Sequence, residues 1–147
     1  MKTKIVLFAF LFVIGFASGC THHKSCNTTT DCKFQLSWGE GGGASAMWSG
    51  YTLKADSLVL YKWAGFIQES NILTRSTIKS KKVKKIKNYI DTYKIDKISF
   101  QKPGNMSCYI KYINNSDTNI ILFQKNDTDS IAIKMNQLIT ILNKLIK

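Results

Sequence analysis

The strongest constraint on the fold of this chain is that its apolar spacing switches three times between two periods. Phe34, Leu36 and Trp38 alternate with Lys33, Gln35 and Ser37, the pattern of a strand with one buried face. Residues 47–55 alternate less cleanly, 58–63 are apolar enough for alternation to fade, and 66–78 form an irregular fourth extended segment. Val83, Ile86, Ile90 and Tyr93 then recur at steps of three and four, one helical stripe, with Ser80 as the expected N-cap. Ile95, Ile98 and Phe100 return the chain to the core. Cys108, Ile110 and Tyr112 restore the period of two, and residues 119–124 come back after a hairpin loop at 114–117. Ile131, Met135, Leu138, Leu142 and Leu145 close the chain with a second helical stripe, starting near Ser130 and capped by Asp127 or Asp129. Four strands, a helix, two strands and a helix predict an antiparallel α+β fold. The sheet is expected to have about six strands, with both helices on one face. Residues 32–147 contain all of these segments and are expected to form one domain and a monomer.

The first 31 residues follow different rules. Met1-Lys2-Thr3-Lys4 is a short cationic start, residues 5–16 are an apolar run broken only by Gly15, and Ala17-Ser18-Gly19 are small. That is the layout of a secretory signal peptide over residues 1–19. The apolar run falls short of the ~20 residues a spanning helix needs. Cys20 follows directly, and Ala17-Ser18-Gly19-Cys20 resembles the lipobox of bacterial lipoproteins, departing from it at Ala17, where that family prefers Leu. The resemblance implies that the Cys20 thiol carries diacylglycerol and anchors the chain to a membrane. Ordinary signal peptidase would cut the same bond, so only the lipid separates the two outcomes. Residues 20–31 then serve as a polar tether. Thr21, where Asp would retain such a protein at the inner membrane, implies the outer membrane, facing the periplasm.

The remaining thiols are Cys26, Cys32 and Cys108, which leaves three pairings open: Cys32 with Cys108, Cys26 with Cys32, or none. His22, His23, Cys26 and Cys32 have zinc-ligand chemistry, but their spacing matches no compact knuckle, and no metal is expected.

Charge and residue type exclude several functions. The formal net charge is +12, from 21 basic and nine acidic residues. Nucleic acid is the first candidate partner for such a balance. Only Arg75 is arginine, however, and base-edge and bidentate phosphate recognition favour arginine. An exported chain also meets little nucleic acid, so none is expected as partner. No histidine follows His23, which removes Ser–His and Cys–His nucleophile pairs. Glu40 and Glu69 are the only glutamates and stand in irregular segments, so no catalysis and no cofactor are expected. Gly39-Glu40-Gly41-Gly42-Gly43 lacks the Gly-Lys-Ser/Thr ending of a phosphate loop. It reads as a break after the first strand. There Glu40, Gly41, Gly42 and Gly43, with nearby Trp48, are candidates to meet a protein partner, while Trp38 and Trp63 are assigned to the core. Lys81, Lys82, Lys84 and Lys85 form a second candidate surface, basic and on the first helix.

Residues 37–56 (SWGEGGGASAMWSGYTLKAD) and 102–107 (KPGNMS) resemble an uncharacterised family of small bacterial envelope lipoproteins. The layout is also similar to emfourin-type inhibitors of thermolysin-like peptidases, which carry a glycine-rich loop after the first strand. These resemblances imply a non-catalytic binding or accessory module with an unknown partner, or an inhibitor or immunity-type protein acting on a peptidase or wall hydrolase.

Overall fold

A computed structural model of the chain describes residues 33–66 and 69–147. The leader, Cys20, His22, His23, Cys26, Cys32 and the tether lie outside the described residues. Seven strands form one sheet: β1 (Phe34–Gly42), β2 (Met47–Lys54), β3 (Val59–Phe66), β4 (Glu69–Thr77), β5 (Gln101–Lys102), β6 (Met106–Asn114) and β7 (Asp117–Gln124). Helix α1 (Ser80–Tyr93) follows β4, a 3-10 turn at Ile95–Lys97 precedes β5, and α2 (Ser130–Ile146) ends the chain. The sheet order is β4-β3-β2-β1-β6-β7-β5. All neighbours are antiparallel except β5 and β7, which run parallel. The α+β class is as expected, and the sheet has one strand more than the sequence indicated. The extra strand is the two-residue β5, held to β7 where the Leu122 amide donates to the Phe100 carbonyl at 3.0 Å. Periodicity cannot reveal an element that short.

The two faces of the sheet are sorted by the period of two. Phe34, Leu36 and Trp38 of β1 share a face with Leu53, Ile110, Tyr112, Ile121 and Phe123. Against that face pack Val83, Ile86 and Ile90 of α1 and Met135, Leu138 and Leu142 of α2, all essentially inaccessible to solvent. Both helices therefore cover one face, and their apolar stripes are those read from the sequence. Trp38 ties the layers by a polar contact as well: its indole Nε1 donates to Asn143 Oδ1 on α2 at 2.9 Å. The 3-10 turn is fixed by Asn119, whose amide donates to the carbonyls of Ile95 and Ile98.

The helix starts are unequal. At α2 the Asp129 carboxylate accepts from the Ile131 amide at 2.8 Å, the cap the sequence suggested. Asp127 lies just upstream, accepting from the Asp129 amide and pairing with Lys102. At α1 the N-cap is Lys79, not Ser80, and no side chain caps it. Ser80 is one residue inside, so its hydroxyl is in the wrong place to receive the free amides of the first turn.

Candidate functional site

Among the described residues, no helix covers the opposite face of the sheet. The positions that alternate with the core set project there: Ser37, Gly39 and Gly41 of β1, Lys54, Thr52, Gly50 and Trp48 of β2, and their partners on β3, β6 and β7. The side chains of this face, among them Ser37, Trp48, Thr52, Trp63 and Tyr109, line a trough of about 620 Å³, within the range of small-molecule sites.

Three buried glycines lie in the sheet beneath it. Gly39 stands opposite Gly50, and a Cβ on either would lie 2.2–2.3 Å from a carbonyl oxygen of the facing strand. One row along, Gly41 stands opposite Trp48. A Cβ at Gly41 would come within 2.5 Å of the Trp48 ring, so the missing side chain lets the indole lie across β1. The ring reaches Tyr109 of β6, centroids 5.7 Å apart at 64°, and the Trp63 ring of β3 lies 6.0 Å from Tyr109 as well. Tyr109 thus meets two tryptophans, and burial pushes its phenol well above the usual tyrosine range. It stays protonated and is a donor rather than a base.

The other end of the trough is cationic. Lys54 and Lys111 line it, and the Lys54 ammonium and Arg75 guanidinium lie 5.7 and 5.9 Å from the centroid of the same Tyr61 ring. No acidic side chain is among the lining residues. The floor hydroxyls satisfy each other, Ser37 Oγ to Thr52 Oγ1 at 2.9 Å. With no carboxylate pair, imidazole or activated nucleophile, the trough can hold a ligand without covalent chemistry. Among the described residues no cluster of three or more metal-ligating side chains occurs.

The residues singled out from sequence are scattered by this fold. The glycine-rich run does not break β1: Gly39, Gly41 and Gly42 are strand residues paired to both β2 and β6, and the turn occupies residues 43–46. Gly42 has φ +103° and would press a Cβ to 2.5 Å from the Asn105 carbonyl oxygen, which fits its place at the strand end. Gly43 continues into the turn, its amide bonded to the same carbonyl. Glu40 pairs with Ser49, one position off from Gly41 and Trp48, so Glu40 and Trp48 point to opposite faces. The Glu40 carboxylate is taken by Lys125 at 2.5 Å. Of the candidate group only Trp48 lines the trough, with Gly41 buried beside its ring. Trp63 is there too, half-buried, and not in the core to which its sequence context assigned it. Lys81 and Lys85 are exposed on α1, Lys82 and Lys84 half-buried; this helix turns its apolar stripe to the covered face, so the basic surface is remote from the trough.

Cys108 lies on the covered face beneath the helices, and among the described residues it forms no disulfide. Burial, then the charge of Glu40, raises its thiol to about 11, which suppresses the thiolate.

Tyr109, Tyr61, Lys54 and Lys111 escaped the sequence reading. A signal was present: β3, β6 and β7 carry large side chains on both faces, as in Ile120-Ile121-Leu122-Phe123. A sheet covered on one side needs apolar residues only on that side. Comparison with protein-family models and with curated proteins produced no match to the chain.

Proposed function

We propose that the chain is a lipid-anchored, non-catalytic binding module of the bacterial cell envelope, and that the helix-free trough is its binding surface. The observation that carries this reading is an apolar, aromatic-walled trough on an uncovered sheet face, with cations at one end and no acid–base pair inside it. Aromatic walls and a few placed charges are what a binding site needs. Anchoring rests on the signal-peptide layout and on Cys20 directly after Ala17-Ser18-Gly19. Thr21 favours the outer membrane, facing the periplasm. Residues 20–31, fully extended, span about 40 Å at ~3.3–3.6 Å per residue, enough to hold the sheet clear of the headgroups.

Trp48 and Trp63 serve as reporters for the test. The full-length chain in lipid nanodiscs is titrated with the small-molecule fraction of an envelope extract while tryptophan emission is followed. The expected result is a saturable change that the double substitution Trp48→Phe, Trp63→Phe abolishes, with the bound material released unchanged in mass. A change that persists in the double variant, or release of a chemically altered compound, contradicts the proposal. Anchoring is tested separately: Cys20→Ala should lose incorporation of a palmitate analogue, and equal labelling of both proteins would refute it.

A further inference from the structure

The trough has a direction, set by strand register. One row across the sheet reads Arg75, Tyr61, Thr52, Ser37, Lys111 and Ile120, with Lys54 one pair beyond Thr52. The next row, about 7 Å along the strands, reads Ile72, Trp63, Gly50, Gly39, Tyr109 and Leu122. The first row is cationic and the second is apolar but for one phenol. A ligand lying along this gradient needs an anionic end and an apolar body.

Neither Lys54 nor Lys111 has an ion-pair partner among the described residues. Lys54 and Lys111 both line the trough, and no acidic side chain does. An anion placed there is attracted by unpaired ammonium groups with no carboxylate competing for them. The apolar part sets the body. Trp63, Trp48, Leu122 and Ile72 offer hydrocarbon and ring surface. The Ser37 and Thr52 hydroxyls already bond each other, so the floor does not ask for the many hydrogen bonds a sugar would bring. The volume of about 620 Å³ suits one long acyl chain and is short for two. Single-stranded nucleic acid, which would also meet rings and cations on an open sheet, needs free ring faces for stacking. Here Tyr109 already contacts both Trp48 and Trp63, with Trp48 edge-on to it.

We infer that the trough binds a single-chain fatty acid, with the hydrocarbon against Trp63, Ile72 and Leu122 and the carboxylate at Lys54 and Lys111. The inference rests on the proposal that the trough is the binding surface, and adds the ligand class to it.

Isolated membranes carrying the full-length chain are washed with albumin to remove free fatty acid. They are then given a diazirine-bearing palmitate analogue without ATP, so that it is not esterified, and irradiated. Labelled peptides are identified by mass spectrometry. The expected label falls on peptides covering residues 47–63 and 107–122. Unlabelled palmitate should displace it at a concentration at least ten-fold lower than hexadecanol, which has the same chain without the charge. Lys54→Glu combined with Lys111→Glu should reduce the label at least five-fold at an unchanged melting temperature. Trp63→Ala, which removes a wall and leaves the charges, should reduce it as well. Competition by hexadecanol equal to palmitate, or equal labelling of the charge-reversed variant, would overturn the fatty-acid assignment and leave the trough as a binding surface. Displacement by phosphatidate vesicles or by an oligothymidylate, but not by palmitate, would overturn it in favour of a phospholipid or a nucleic acid. No label on any trough peptide would overturn both the assignment and the binding surface.

Discussion

Replacing Trp38 by phenylalanine separates what the covered face of the sheet does from what the open face does. Trp38 is 1% exposed, stacks on Tyr51 at 5.6 Å, and donates its only polar hydrogen to Asn143 of α2. The substitution removes that bond, worth about 1 kcal/mol net. It also leaves a space where the second indole ring stood, costing a further ~1–2 kcal/mol at roughly 24 cal/mol per Å³ of residual cavity. The sum is about 2–3 kcal/mol, a large fraction of the ~5–15 kcal/mol that holds a domain together. At ~3–6 °C per kcal/mol the melting temperature should fall by about 6–18 °C. Urea unfolding of the purified chain, followed by far-ultraviolet circular dichroism, measures it, with an unchanged m-value as the sign that only stability moved. Asn143→Ala and the double variant complete a cycle whose coupling should be about 0.5–1.5 kcal/mol, the share of the hydrogen bond. Trp63→Ala, on the open face, should cost less than Trp38→Phe although it removes far more of its side chain. A loss under ~0.5 kcal/mol for Trp38→Phe, or a larger loss at Trp63, would refute the assignment of the two faces.

Three further outcomes follow from single groups. Asp129→Ala should destabilise the chain by about 1 kcal/mol, since the Ile131 amide loses its acceptor, and thermal melting checks it. The Asp127 carboxyl is held below the usual range by the Asp129 amide first and by Lys102 next. Its folded pKa is thus below the unfolded one, so the stability it contributes is present above about pH 4 and is lost as pH falls through the folded value. Acid titration of Asp127→Asn should therefore show a shallower decline than wild type below pH 4, and identical slopes would contradict the reading. Cys108, raised to about 11, should resist iodoacetamide at pH 8 in the folded chain and react fully in urea, as read by peptide mass spectrometry. Rapid alkylation without denaturant would show that this thiol is not buried.

Much of the architecture was legible because burial leaves a period in the sequence. The stripes Val83-Ile86-Ile90 and Met135-Leu138-Leu142, and the alternation of Cys108, Ile110 and Tyr112, locate both helices and a central strand. Asp129 was legible as a cap for the same local reason. The glycine run was misread because glycine is normally a strand breaker, whereas here pairing to β2 and β6 on both sides keeps Gly39 and Gly41 extended and holds Gly42 in the sheet at positive φ. The trough was not legible from local pattern. Trp48, Trp63 and Tyr109 are distant in sequence and meet only through the order β3-β2-β1-β6, which long-range pairing decides. Alternation shows which residues share a face, but not whether a helix covers it. Glu40 illustrates the converse: it was expected to meet a protein partner, and its pairing with Lys125, on the face opposite Trp48, depends on where β7 ends.

Hydroxyl-radical footprinting of the membrane-bound chain, stripped of free fatty acid and then compared with and without added palmitate, tests most directly whether the open face is the working surface. Trp38 should remain unoxidised in both states, while Trp48, Trp63 and Tyr61 should be oxidised without palmitate and protected several-fold with it. Exposed Met47, Phe66 and Met106, at the far end of the strands on the covered face, should be oxidised equally in both. Protection confined to those three residues or to the lysine-rich side of α1, with Trp48 and Trp63 unchanged, would contradict it.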